Sequence, residues 1–515
     1  MFSFLQKLSA YKTNRIQLVI VIVSVLVASQ VQYIQHGWIN PDSVLYLEAA
    51  KLFAVGQWKS GFEIFPWPFY SLWIAATHKL TNLSIHHTAQ LLNVFFFAIA
   101  TYAFTSIIQL CGGKQKELIA GGLIFLSAQY MIGGVLEMLM RDEGFWAFFL
   151  SSLVFFIRFH QHHQLKDALL WQVAIIFAML FRIEAILYLV LLPLVLLLNT
   201  HHNLISNIKL AIKAYSIQIS LALIAITALL IHPELSFAMF GRLNEIFTTD
   251  LLNEFTEKII KKSQLMSTLV LGEYLEEFAV PGLILTFLYV IVVKTINATG
   301  IVTLGLGILG VKHYRTLVNQ KGYQILMVTM LIALLNMAII ITKVFVLSGR
   351  YVLAISFIIM VLASFYFAKL LQESENSTSK QSRWLVSILL IVMALGFIKN
   401  LIPKQDGYNY MQDAVVWLES NNPANPDHVF FNETRLRHYA NAPFAGTWSN
   451  NLTKFSNAIT DGSINHYQFL MIATTKRELV TITELNKAIP NYKEIKRFHD
   501  TKSKKFVIIY KRLEH

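Results

Sequence analysis

Residues 15–53 read RIQLVIVIVSVLVASQVQYIQHGWINPDSVLYLEAAKLF. Between Arg15 and Asp42 lie twenty-six residues without a formal charge. The first part of that run spans a bilayer, since a helix needs roughly 20 apolar residues to cross. Lys7, Lys12 and Arg15 precede it. By the positive-inside rule these cations hold the N-terminus in the cytoplasm. Asp42 then emerges on the far side, just past the membrane surface, at the head of a short aromatic-rich segment.

The whole chain agrees with that reading. Of 515 residues, 55% are hydrophobic, 13% aromatic and only 14% charged, and mean hydropathy is +0.53. Such a composition belongs to a polytopic helical membrane protein, not to a soluble domain. The net charge of +13 is no nucleic-acid signal here, because cations gather at membrane ends and cytoplasmic loops. One cysteine, Cys111, excludes an intramolecular disulfide. The first apolar run lacks a small-residue cleavage site and is expected to stay as an anchor.

Further apolar runs of bilayer length lie at about 86–109, 118–136, 143–159, 168–182, 183–199, 208–231, 279–311, 323–346, 351–371 and 384–402. With the first, they predict about eleven transmembrane helices. The alternation puts Lys114 and Lys116, Arg158 and Lys166, Lys209 and Lys213, Lys312, Arg315 and Lys321, and Lys380 and Arg383 in the cytoplasm. An odd count sends the C-terminal region outside. Arg182 and Glu184 interrupt the run from Leu169 to Asn199, and a break at that depth needs a protein-lined or wet cavity. The run from Phe278 to Val311 is too long for one helix.

Three regions lie outside the spans. Residues 37–86 predict short interfacial helices. Residues 232–278 are mixed in charge and helical in pattern, and ESENSTSKQS is a polar loop. Residues 403–515 read as a small α/β domain, with VVWLESNN and KRELVTITELNKAI as helices and HVFFN, FLMIAT and KKFVIIYKR as strands. The expected division is a membrane domain over 1–402 and an extracytoplasmic α/β domain over 403–515.

Four constellations carry candidate chemistry. Asp42 opens a helical run containing Tyr46, and Trp58, Phe62, Phe65, Trp67, Phe69, Tyr70 and Trp73 follow. Asp42 reads either as a helix N-cap or as a catalytic acid, while the aromatic faces suit sugar rings or a membrane interface. The second constellation, LEMLMRDEGFWAFF, places Glu137, Arg141, Asp142 and Glu143 between two spans. The third, FRIEAILYL, places Arg182 and Glu184 at membrane depth, as a functional pair or a structural ion pair. The fourth, KVFVLSGRYVLAI, brings Lys343, Arg350 and Tyr351 to the outer ends of adjacent spans, and the planar guanidinium suits phosphate.

Other signals lead elsewhere. GLGILG, residues 305–310, fits the dinucleotide fingerprint, but it follows no strand and reads as close helix packing. His160, His162 and His163 lack metal-ligand partners. No residue set demands a metal or an organic cofactor.

Taken together, PDSVLYLEAAKLFAVGQW, FPWPFYSLWIA, RDEGFWAFFL, FRIEAILYL and GRYVLA resemble, in order and sidedness, the GT-C fold glycosyltransferases. The resemblance is to the branches containing the protein O-mannosyltransferases and the lipid A aminoarabinose transferases, and it covers about the first 400 residues. The chain departs from those branches in three places. It has Asp42-Ser43 where two adjacent acids are common. Phe65 and Trp67, not a lysine, precede Pro66 and Pro68. Ala354 stands where a proline is usual.

The resemblance implies a polyprenyl-phosphate sugar donor; the expected acceptor is a lipid, glycan or protein, and the expected setting a bacterial inner membrane, with a eukaryotic ER membrane as the alternative. A hydroxyl acceptor needs a base, for which Asp42, Asp142 and Glu143 are candidates. The departing phosphate needs cations, and Arg141, Arg182, Lys343 and Arg350 are the candidates. Glu184, Tyr351, Tyr46 and Trp67 complete the expected substrate-binding set. The alternative is a transporter or flippase of an amphipathic anion, which buried charge and broken helices would also serve; no internal repeat supports it.

Overall fold

The computed structural model describes residues 11–35, 37–198, 203–231, 251–376, 380–402, 409–421, 426–444, 451–501 and 503–513. Lys7, the stretch 232–250 and the centre of the expected polar loop, 377–379, lie outside the described residues. The chain separates into two compact units. The first comprises Met1–Val31, Leu91–Glu137 and Arg141–Leu401; the second comprises Gln32–Gln90, Met138–Met140 and Ile402–His515.

Among the described residues, six helices are long and apolar enough to cross a membrane: Thr13–Ile34, Ile85–Leu110, Tyr274–Thr299, Gln320–Val344, Gly349–Asn376 and Lys380–Leu401. Leu204–Ala214 and Ser216–Thr227, bent by 65°, add a seventh if they form one broken span. The remaining expected crossings are helical but shorter or more polar. Gln115–Leu126 has 12 residues and passes into a π-helix over Met131–Leu136. Leu165–Phe181 has 17 residues. Asp142–His162 has 21 residues, but its last turns carry Arg158, His160, Gln161 and His162. The over-long run breaks at Gly300, whose φ of 83° ends Ala279–Thr299 and starts Ile301–Lys312.

Gly349–Asn376 is the axis of the first unit, with 89% of its apolar window buried. Ile301–Lys312 packs against it. A Cβ on Gly307 would collide with Ile359, and one on Gly310 with the Leu362 carbonyl. GLGILG is therefore a helix-packing surface, the small residues allowing backbones to approach closely.

The second unit contains three short helices, Pro41–Ala54, Trp58–Ile64 and Phe69–Thr81, and an α/β fold. Its four strands are β1 (Val429–Phe431), β2 (Phe469–Thr475), β3 (Tyr492–His499) and β4 (Lys505–Arg512), in the order β1-β2-β4-β3. β1 and β2 are parallel; β2–β4 and β3–β4 are antiparallel. Both faces are covered. Met471, Val507 and Ile509 pack with Ala414, Val415 and Leu418 of Tyr410–Asn421. Leu470, Ile472 and Ile508 pack with Phe455 and Ile482 from two other helices. Burying each large aliphatic side chain is worth about 1.5–3 kcal/mol, which explains why β2 and the middle of β4 are continuous apolar runs. β3, at the sheet edge, is absent from the sequence expectation.

Candidate active site

In the first unit, the chemistry gathers where the Asp142–His162 helix begins. Leu165–Phe181 stops at Arg182, whose backbone is extended (φ −143°, ψ 116°) before a short turn over Ile183–Ala185. This break turns the Arg182 side chain onto Asp142, with which it forms an ion pair. Arg182 Nε lies 3.5 Å from Glu184 Oε2, and its guanidinium sits 4.3 Å from the Tyr351 ring centroid and 5.7 Å from that of Phe145. Arg350 Nη1 approaches the second Asp142 oxygen at 3.6 Å.

The two arginines differ in exposure. The Arg182 side chain is 5% exposed and that of Arg350 is 25% exposed. Arg182 contacts two carboxylates and two rings, whereas Arg350 stands further from Asp142 and is the more exposed of the two. Arg141, half-buried at the start of the helix, adds positive charge near Asp142 and Glu184. Glu143 is fully buried, and neither carboxylate oxygen has a hydrogen-bond partner among the described residues. Lys343 is exposed in the last turn of Gln320–Val344.

Tyr130 is an addition to the sequence-derived set. It lies near Ser348 and within the field of Arg350, Asp142 and Arg182. It packs so tightly against Gly349 that a Cβ there would collide with its ring. The segment that follows it, Met131–Leu136, winds as a π-helix, an irregularity frequent at functional sites.

In the second unit, Asp42 is the second residue of the Pro41–Ala54 helix. It is not the cap: Asn40 caps the helix, its side chain accepting the Asp42 N–H at 3.0 Å, and Pro41 occupies the first turn as proline favours. The helix-capping explanation of Asp42 therefore falls. Asn40 Nδ2 and Ser43 Oγ lie 3.3 Å and 3.8 Å from the sulfurs of Met138 and Met140, respectively. Tyr46 is buried, its ring edge-on to Phe65 at 5.0 Å and to Tyr70 at 5.6 Å. Trp67 is buried too, its indole N–H without a partner among the described residues. Trp58 and Phe62 are instead exposed, at 55% and 47%, around Phe53.

Helices long and apolar enough to cross a membrane and a small α/β sheet make up a fold that solved membrane-enzyme structures share. The likeness runs through two solved structures. The chain superposes on ArnT from Cupriavidus metallidurans, bound to undecaprenyl phosphate, with TM-score 0.55 and 13% identity, over 96% of this chain and 97% of that one. It superposes on the archaeal oligosaccharyltransferase AglB from Archaeoglobus fulgidus, in complex with an inhibitory peptide and a dolichol-phosphate, with TM-score 0.54 and 11% identity, over 95% and 74% of the two chains. No protein-family model matches the sequence, and no curated protein matches it by sequence.

Proposed function

We propose that the chain is a membrane glycosyltransferase that moves a sugar from a polyprenyl-phosphate donor to a lipid, glycan or protein acceptor on the extracytoplasmic face of a bacterial inner membrane. The observation that carries this reading is the fold shared, over nearly the full length of both chains, with a protein holding undecaprenyl phosphate. The dolichol-phosphate in the second structure supports the same donor class. The loop cations of the sequence support the orientation.

The residues suit the chemistry. Asp42 takes the proton of the acceptor hydroxyl as general base. The acceptor oxygen bonds to the anomeric carbon, and the bond from that carbon to the phosphate oxygen breaks. The polyprenyl phosphate leaves with the electron pair, and one displacement inverts the anomeric centre. Arg350 holds the charge that develops on the phosphate. Arg182, fixed by Asp142 and Glu184, sets the field around it, with Arg141, Glu143, Tyr351 and Tyr130 forming the surroundings; Lys343 is a further candidate cation for the donor phosphate.

The test uses the full chain in lipid nanodiscs with a panel of undecaprenyl-phosphate-linked hexoses and pentoses and an extract of cell-envelope acceptors. Release of undecaprenyl phosphate is expected. Asp42→Asn, which keeps size and loses basicity, should slow it at least about a hundredfold. No release from any donor, or wild-type release by Asp42→Asn, would overturn the reading. Movement of the intact lipid-linked sugar between leaflets without cleavage would favour a flippase.

A further inference from the structure

The helix that carries Asp42 is gripped by residues nearly 400 positions further along the chain. Two neighbouring side chains of the short Thr434–Tyr439 helix do this. His438 Nδ1 lies 2.6 Å from Glu48 Oε1, across 390 residues of sequence. Tyr439 Oη accepts the N–H of Ile39 at 3.1 Å, across 400 residues. The gripped groups are themselves enclosed: Ile39 is 0% and Glu48 8% exposed. Lys51 Nζ adds a second contact to the same Glu48 oxygen at 2.8 Å and reaches Asn441 Oδ1 at 3.5 Å.

These ties bracket Asp42. Ile39 lies three residues before it, ahead of the Asn40 cap, and Glu48 lies six residues after it. Fixing a helix at its start and about two turns later sets both its axial position and its rotation. The holding element is itself fixed. Glu433 caps the Thr434–Tyr439 helix by accepting the N–H groups of Arg435 and Leu436, and Arg435 Nε lies 2.8 Å from its other oxygen.

We propose that His438 and Tyr439 are positioning residues: the C-terminal segment sets where the Pro41–Ala54 helix begins and how it is turned, and thereby where Asp42 reaches. The proposal rests on Asp42 being the base. A catalytic group displaced by about 1 Å can cost a hundredfold in rate, so loss of one tie should be visible kinetically while the fold persists.

The experiment compares the full chain in nanodiscs as wild type, His438→Ala, His438→Gln and Tyr439→Phe. Hydrogen exchange across residues 39–51 should rise about five- to tenfold in His438→Ala and Tyr439→Phe, with β2 and β4 unchanged. His438→Gln, which keeps an N–H for Glu48, should recover most of the protection. With an undecaprenyl-phosphate-linked sugar, kcat for release of undecaprenyl phosphate should fall about tenfold or more in His438→Ala, with KM for the donor within about twofold. In the Asp42→Asn background, His438→Ala should add less than about twofold, because the two act through one group. Unchanged exchange, raised exchange with wild-type release, or a fully additive loss would each overturn the proposal. Wild-type release by Asp42→Asn would instead overturn the base assignment, and the exchange arm would still decide whether the C-terminal segment holds the helix.

Discussion

Asp142 is shared unequally by two arginines, and the inequality sorts their expected behaviour. Arg350 stands further from Asp142 and is the more exposed, so Arg350→Ala should weaken binding of undecaprenyl phosphate while the protein stays folded. Arg350→Lys should recover only part of the affinity, because a lysine lacks the planar fork. Binding of undecaprenyl phosphate alone measures both, and unchanged affinity in Arg350→Ala would move the phosphate to another cation. Arg182→Ala would leave Asp142 and Glu184 without their main partner in a buried setting, a change expected to cost roughly 3–5 kcal/mol. Thermal unfolding should show this for Arg182 and not for Arg350. At this scale much was legible. Asp142, Arg182, Arg350 and Tyr351 stand out as ionisable or polar groups in apolar surroundings, though their convergence needed the backbone break at Arg182. Tyr130 was not legible, since an uncharged ring in AQYMIGG carries no such mark. The Asn40-Pro41 pair, by contrast, announces the true cap, and so removes capping as the explanation of Asp42.

Elements show where sequence pattern succeeds and where it does not. The glycines of Ile301–Lys312 share one motif but meet different surroundings. A side chain at Gly310 would run into the Leu362 carbonyl, whereas Gly305 faces open space. Gly310→Leu should therefore destabilise the fold by about 1–3 kcal/mol. Gly305→Ala should stabilise it by about 0.5–1 kcal/mol through helix propensity. Thermal unfolding of the two variants measures this contrast, and equal effects would remove the packing account. The breaks at Arg182 and near residue 300 were readable from a charge and from excess length. Among the described residues six helices are long and apolar enough to cross a membrane; other runs of the expected eleven, such as 118–136, which changes helix type midway, are helical but shorter. β3 was missed for a physical reason. As an edge strand it exposes Lys493, Glu494, Lys496 and Arg497, so the alternation that marks a half-buried strand is weak.

For the molecule as a whole, the contact between Glu48 and His438 makes stability depend on acidity. Burial pushes the Glu48 carboxyl up, but hydrogen bonds from His438 and Lys51, with their charges, outweigh burial and hold it below its ordinary value of 4.5. A carboxyl depressed on folding contributes stability that is fully present above its unfolded value and is lost as pH falls through its folded one. The contribution of Glu48 should thus be present at about pH 5 and fade as pH falls below about 4.5. Melting of wild type and Glu48→Gln across that range should converge at the acid end, and a constant gap would refute the assignment.

The unit containing this contact is assembled from three separated stretches of chain, Gln32–Gln90, Met138–Met140 and Ile402–His515. During synthesis, the ribosome makes Glu48 long before His438, with 389 residues between them. At 5–20 residues per second the delay is on the order of 20–80 s. Throughout that interval the acid-headed helix waits without its clasp, and most of the apolar spans must be threaded before the clasp exists. Biogenesis thus carries its own safeguard: a chain cut short in the membrane region cannot complete the unit that holds Asp42.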